Sequence, residues 1–167
     1  MKKASKIILM IVTLLSCVGC DQVTKSIARQ NLVTGESLSF SGNLFILQYI
    51  ENQGAFLSLG AGAHEQTRFL IFTVIAGLFL IGMACYIIFS KKVTKAEVIA
   101  FSMVIGGGIG NLIDRVFNNG RVIDFMNIGI GRIRTGIFNI ADVAILFGVF
   151  LVIVLLQKRK EPRCHNQ

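Results

Sequence analysis

Charge is scarce in this sequence, and so are the residues that usually perform hydrolytic or metal chemistry. Only 16% of the 167 residues are charged and 53% are hydrophobic, whereas soluble domains carry about 25% charged residues. A water-soluble fold of this size could not hide so much apolar surface, so lipid is the expected solvent. There is one proline, and no low-complexity linker, internal repeat or separate soluble domain is evident. The two histidines, His64 and His165, stand far apart, and neither G-x-S-x-G nor HExxH occurs, which argues against a serine triad or a zinc hydrolase. The four cysteines make no disulfide framework: Cys17, Cys20 and Cys85 lie in apolar runs and Cys164 in the basic tail. The CxxC of Cys17 and Cys20 has no second cysteine or histidine cluster beside it, so packing is expected rather than metal or redox work. No metal or other cofactor is expected.

What the chain does have is four long apolar runs. The first starts at Ile7, reaches Cys20, and with Asp21, Lys25 and the residues up to Ala28 makes a helix of about 20 residues, the length a span needs. Residues 69–89 carry no charge at all. The run from Val98 to Ile113 is shorter and glycine-rich, and the run from Ile137 to Leu156 is broken only by Asn139 and Asp142. The expected fold is an all-α membrane protein, one integral membrane domain over residues 1–167, since the length suits one domain. Its helices are placed near 7–28, 69–89, 98–115 and 137–157, with outer segments 29–68 and 116–136. The start of the chain imitates a bacterial lipoprotein signal, with Lys2 and Lys3, an apolar core and then Val18-Gly19-Cys20. Three later spans contradict that, and the segment is taken as an uncleaved first helix.

The formal net charge of +8 invites a nucleic-acid reading, but its placement opposes one. Lys2, Lys3 and Lys6, then Lys91, Lys92 and Lys95, then Lys158, Arg159, Lys160 and Arg163 all flank apolar runs. Such clusters are topology signals and lipid headgroup contacts, and no nucleic acid is expected. Residues 1–6, 90–97 and 157–167 hold ten basic residues in 25 positions, whereas 29–68 and 114–136 hold six in 63. The denser set is expected inside, with both termini cytoplasmic. In the long outer segment, Gly42-Asn43 is a turn signal and Leu44 to Ile50 a candidate strand. It is too apolar for a free loop and is expected against the membrane surface or the bundle.

Polar groups inside a bilayer are costly and need a reason, and here they gather at one end. Asp21 and Lys25 are four apart on one helix face, acid before base. Asn111, Asp114 and Arg115 close the third helix, and Asn139 and Asp142 open the fourth. Asp142 is expected about five residues in, roughly 7–8 Å deep. Asp124 lies in the shorter outer segment, in Gly120-Arg121-Val122-Ile123-Asp124-Phe125. A structural network would pair Asp21 with Lys25 and Asp114 with Arg115. It explains Asp124 and Asp142 less well, because Asp142 has no basic residue within a turn of its own helix. Two carboxylates brought together at a membrane surface would share one proton, one serving as base on water and the other as acid toward a carbonyl. Gly106-Gly107-Gly108-Ile109-Gly110 follows no strand, and its GxxxG pair favours close helix packing over phosphate binding.

The motifs Asp21-Gln22-Val23-Thr24-Lys25, Asn52-Gln53-Gly54-Ala55, Gly110-Asn111-Leu112-Ile113-Asp114-Arg115, Val122-Ile123-Asp124-Phe125 and Phe138-Asn139-Ile140-Ala141-Asp142 occur in that order. Together they resemble the lipoprotein signal peptidases, the type II signal peptidases of bacteria, over essentially the whole chain. The resemblance implies a four-helix membrane enzyme of the bacterial cytoplasmic (inner) membrane with its active site at the outer face. The outer segment from about Leu38 to Ile50 would be a small extracytoplasmic β-platform between helices one and two. Asp124 and Asp142 would be the catalytic pair of an aspartic endopeptidase. Asn52, Gly54, Asn111, Arg115 and Asn139 would line the substrate site, with Asp21, Lys25 and Asp114 as structural polar support. The substrate would be a diacylglyceryl-modified prolipoprotein cut just before the lipidated cysteine, with membrane lipid as a further partner and a monomer as the expected state. One departure stands out: Phe56 follows Ala55 directly, where the commoner family pattern has a second small residue and then an aromatic. That leaves open how residues 55–59 meet the lipid or the signal helix. The competing classes are a small transporter or proton channel, which would need polar residues along a whole path, and a non-catalytic scaffold, which leaves Asp142 without purpose.

Overall fold

The computed structural model describes residues 2–54 and 59–160. Phe56, where the sequence departs from the family pattern, and the tail with Arg163, Cys164 and His165 lie outside the described residues.

Four helices are long and apolar enough to cross a membrane: α1 (Lys3–Asn31), α2 (Glu65–Phe89), α3 (Lys95–Phe117) and α4 (Ile140–Lys160). The first three begin a few residues ahead of their apolar runs. For α3 the reason is local: the Thr94 hydroxyl accepts from the Glu97 amide while the Glu97 carboxylate accepts from the Thr94 amide, a capping box that satisfies two end amides reciprocally. The fourth starts at Ile140, three residues later than its apolar run suggests. Phe138 is drawn out of the helix to pair with Met126, which leaves Asn139 as the cap. Asp142 therefore sits in the first helical turn, shallower than the five residues expected from the sequence.

α3 is the axis of the bundle. Half of its apolar stretch is buried, against about a tenth of α1 and α2. Its glycines explain how three neighbours come so close. Successive helical residues turn by about 100°, so Gly106, Gly107 and Gly108 face three different helices. A methyl at Gly106 would lie 2.7 Å from Cys17 Cβ of α1, one at Gly107 would strike the Ala141 carbonyl of α4, and one at Gly108 would lie 2.7 Å from Leu80 of α2. Gly110 meets α1 again, at the Asp21 carboxylate. Cys17 thus packs as expected, but Cys20 and Cys85 are exposed on the bundle surface. Met10, Leu80, Ile87, Val98 and Ile105 pack together within the bundle, and Leu15, Phe79 and Leu146 point away from it, as lipid-facing residues do. Lys6, expected among the headgroups, is instead buried. Its ammonium donates to the Ile87 and Ser90 carbonyls, closing the end of α2.

At the other end lies a four-stranded antiparallel sheet in the order β1-β2-β3-β4: β1 (Leu38–Phe40), β2 (Phe45–Asn52), β3 (Val122–Ile130) and β4 (Ile133–Arg134). The β1–β2 turn has positive φ at Ser41, Gly42 and Asn43, where the Gly-Asn pair marks it. The platform between helices one and two is therefore only half of the sheet. β3 and β4 come from the second outer segment, where the sequence shows no strand signal. Their pairing with β2 sets Asp124 opposite Ile50.

Candidate active site

Asp124 and Asp142 reach one site from different kinds of element. Asp124 is carried by β3. One oxygen accepts from Asn52 Nδ2 at 2.9 Å, across the sheet on β2, and the other from Asn139 Nδ2 at 2.7 Å. Asp142 is the third residue of α4, and it forms a capping box with Asn139. The Asp142 amide donates to Asn139 Oδ1 at 2.9 Å, and the Asn139 amide donates to Asp142 Oδ2 at 3.2 Å. The other Asp142 oxygen accepts from Asn111 Nδ2 at 2.9 Å. Asn139, fully buried, also donates to Asn111 Oδ1 at 3.1 Å, so a chain of two asparagines runs from one carboxylate to the other. Asn139-x-x-Asp142 thus caps the helix and also joins the hydrogen-bond chain between the two carboxylates.

Behind the carboxylates sits a second, ionic layer. Lys25 Nζ lies 2.8 Å from both Asp21 and Asp114 and donates to Asn111 Oδ1 at 3.0 Å, which uses all three of its protons. Asp21 accepts the amide of Ala141 at 2.9 Å, and Asp114 accepts the amide of Ile123 at 3.0 Å. Each supporting aspartate therefore holds the backbone amide of the residue immediately before one of the two site aspartates. This corrects the pairing of Asp114 with Arg115, because Asp114 belongs to Lys25. The physical reason is topological: Lys25 comes from α1 and can serve both acids only if α1 and α3 touch, as Gly106 and Gly110 allow.

Arg115 turns the other way. Its guanidinium donates to the Gly54 carbonyl at 3.0 Å and lies 5.5 Å from the centre of the Phe72 ring, while its Nε has no hydrogen-bond partner and is shielded from solvent. Phe72 belongs to a π-helical turn, Leu70–Ile75, a distortion common at functional sites. The Gly54 amide donates to Asn52 Oδ1 at 2.8 Å, so Gly54 acts through its backbone. All the site residues expected from the sequence gather here, on three helices and the sheet. Further contributors are not evident from the sequence. Gln22, inside the first motif, donates to both Asp21 and Asp114; its polar side chain beside a buried acid is the available signal. Asn127 and Arg134, which line a cavity shared with Asp124, carry no signal until β3 is known. Among the described residues, no group of three or more His, Cys, Asp or Glu could hold a metal ion.

Burial, aided by the charge of Asp142 and opposed by the Asn52 and Asn139 hydrogen bonds, pushes the Asp124 carboxyl up to about 6. The folded pKa lies above the unfolded value, so the folded state binds the proton more tightly. The favourable contribution is complete below about pH 4 and is lost as pH rises through about 6. A proton held in this way is the one a carboxylate dyad needs. The pH profile of kcat/KM, which reports the free enzyme, is expected to lose activity as pH rises through about 6. Closure over substrate excludes water and disfavours the charged form, so the corresponding limb of kcat should lie at higher pH. Coincident limbs would contradict this account.

The signal peptidase II family model matches residues 12–158. The lipoprotein signal peptidase of Syntrophus aciditrophicus is 40% identical over 146 residues, covering 84% of this chain and 88% of the relative. That of Streptococcus pneumoniae is 34% identical over 160 residues, covering 96% and 97%. A solved bacterial membrane enzyme superposes with a TM-score of 0.77 at 28% identity, covering 98% of this chain and 94% of that one.

Proposed function

We propose, for a chain that belongs to the signal peptidase II family, that Asp124 and Asp142 are the catalytic pair. The chain is a membrane-embedded aspartic endopeptidase that cleaves signal peptides from lipoprotein precursors. The observation that carries the residue assignment is the hydrogen-bonded bridge between the two carboxylates through Asn139 and Asn111. Asp124, whose carboxyl burial pushes up, delivers a proton to the scissile carbonyl. Asp142 takes a proton from the attacking water. The resulting tetrahedral intermediate is a neutral gem-diol; the proton taken up by Asp142 passes to the leaving amine as the C–N bond breaks, and Asp124 recovers its proton from the gem-diol hydroxyl as the new carboxyl forms. The Nε of Arg115 makes no hydrogen bond of its own, so polarising the carbonyl oxygen costs it none. Asn52 and Gly54 present the β2 end of the site, while Asn111 and Asn139 fix the distance between the acids. The single membrane domain acts as a monomer, since every one of these groups comes from one chain.

The substrate is a precursor bearing a diacylglyceryl group, cut just before the modified cysteine. Asp142 in the first turn of a helix long and apolar enough to span supports chemistry at the lipid interface. Acyl chains kept in lipid would hold the scissile bond there and supply orientation. The test is cleavage of lipidated and unlipidated forms of one precursor by purified enzyme in detergent. The lipidated form should be cut much faster, and equal rates would overturn this specificity.

The dyad faces outward and both termini are cytoplasmic, which the dense basic clusters at the opposite end support. In a cysteine-free background, Glu36→Cys should react with a membrane-impermeant reagent in intact cells. Lys91→Cys should react only after permeabilisation. Labelling of position 91 from outside would reverse the orientation.

A further inference from the structure

A cavity of about 510 Å³ opens on one face of the sheet, with Asp124 at one end. Ile46, Gln48, Ile50 and Asn52 of β2 form its floor. Its far wall holds Asn127 and Arg134. Arg134 is pinned in place. Its Nε donates to Asn127 Oδ1, and its Nη1 donates to the Asn43 carbonyl at 2.6 Å and the Gly129 carbonyl at 3.3 Å. Its Nη2 is shielded from solvent and has no partner. The ion pairs among the described residues join Lys25 to Asp21 and Asp114 and Arg121 to Glu51, so Arg134 has no acid of its own among them. A fixed guanidinium with no acid partner among the described residues, on the wall of the cavity that contains the proposed catalytic carboxyl, offers its positive charge to an anionic group from outside.

We propose that this cavity receives the first residues of the mature protein, downstream of the cut, and that Arg134 selects an acidic side chain among them. The proposal rests on the assignment of Asp124 to the catalytic pair. The signal segment and the acyl chains are apolar and stay in lipid, so the segment that leaves past Gln48, Asn127 and Arg134 of the cavity is the mature one. Asn127 lies three residues along β3 from Asp124, about 10 Å at the rise of a strand. An extended substrate crossing the same face brings its second to fourth residue after the cut within reach of Arg134. A carboxylate there meets a planar donor already oriented, and the fork geometry of arginine suits it better than a lysine would. A phospholipid phosphate offers the same anionic oxygens. The cavity floor is a strand face rather than a helix surface, which favours an extended peptide.

The experiment uses full-length enzyme in nanodiscs and pairs of lipidated precursors carrying Glu or Gln at the second, third or fourth residue after the cut. For at least one position the Glu form should show a KM about fivefold lower than the Gln form, the size of a partly exposed ion pair, with kcat unchanged. Arg134→Gln should erase that difference while still cutting both forms, and Arg134→Lys should keep part of it. Thermal unfolding in parallel separates loss of selectivity from loosening of β4. Wild-type enzyme that cuts both forms with equal KM at all three positions overturns the proposal and leaves the dyad intact. Wild-type enzyme that cuts no lipidated precursor overturns the dyad reading, and this inference with it. A KM that follows the anionic lipid content of the nanodisc and ignores precursor charge assigns Arg134 to a headgroup, which also overturns it.

Discussion

Asp124→Asn and Asp142→Asn are each expected to reduce turnover by about 10⁴-fold or more, and the double variant should be no slower than either single one. An amide can neither take a proton from water nor hold one for the carbonyl, and the two carboxyls work on the same proton inventory. Folding should survive for a specific reason. In the Asp142→Asn variant the new side-chain amide oxygen could still accept from Asn111 or from the Asn139 amide, so the cap of α4 is weakened but not removed. At position 124 both carboxylate oxygens accept from amide groups, those of Asn52 and Asn139. An asparagine there must turn its own NH2 toward one of those donors, which costs about 1–3 kcal/mol for a buried mismatch. Asp142 likewise accepts from two amides, but it is only half-buried whereas Asp124 is buried, so the mismatch costs more at position 124 and Asp124→Asn should lower the unfolding temperature more than Asp142→Asn, while both lose activity equally. Processing of lipidated precursor by correctly inserted protein, with thermal unfolding alongside, decides the matter. Near-normal cleavage by either variant would remove that aspartate from the dyad.

The helices are legible in the sequence because lipid leaves it little choice: a chargeless run of span length in water would have no stable place to go. The polar end is legible for the same reason, since Asp142 without a basic neighbour is conspicuous in an apolar run. What the sequence hides is pairing across the chain. Helical spacing matches Lys25 with Asp21, but the second acid of Lys25, Asp114, comes from another helix. Arg115 stands next to Asp114 in sequence and yet does not pair with it, because adjacent residues on a helix point about 100° apart. The start of α4 is hidden because Phe138 looks like part of the apolar run until β3 exists to pair with it. β3 itself, Val122–Ile130, carries no strand mark of its own, since only a partner strand distant in sequence defines it. Gly106 to Gly110 are recognisable as a close-packing device, but the number of helices they serve follows only from the bundle.

Lys25→Met is expected to be the most destabilising single change in the site, at about 3–5 kcal/mol. Methionine fills similar volume, so packing is nearly kept, but the ammonium that serves two acids is gone. Asp21 is fully buried and Asp114 is 5% exposed, and neither has another cation within ion-pairing distance among the described residues. Two uncompensated carboxylates would face each other across the α1–α3 contact, and one or both must take up a proton or part the helices. Removing one partner of a buried pair is costly, whereas replacing the whole set with neutral groups often is not. Adding Asp21→Asn and Asp114→Asn to Lys25→Met should thus recover part of the lost stability. Activity should not return with it. Asp21 and Asp114 hold the Ala141 and Ile123 amides, those of the residues preceding the two proposed catalytic aspartates, and charge-assisted acceptors hold an amide more firmly than neutral ones. A small displacement of a reacting group costs about 100-fold in rate. The measurement is thermal unfolding and precursor cleavage for the single, double and triple variants. If Lys25→Met unfolds at the wild-type temperature, the buried ionic layer is not what holds the carboxylates. If the triple variant regains full activity along with stability, the layer supports the fold without positioning the dyad.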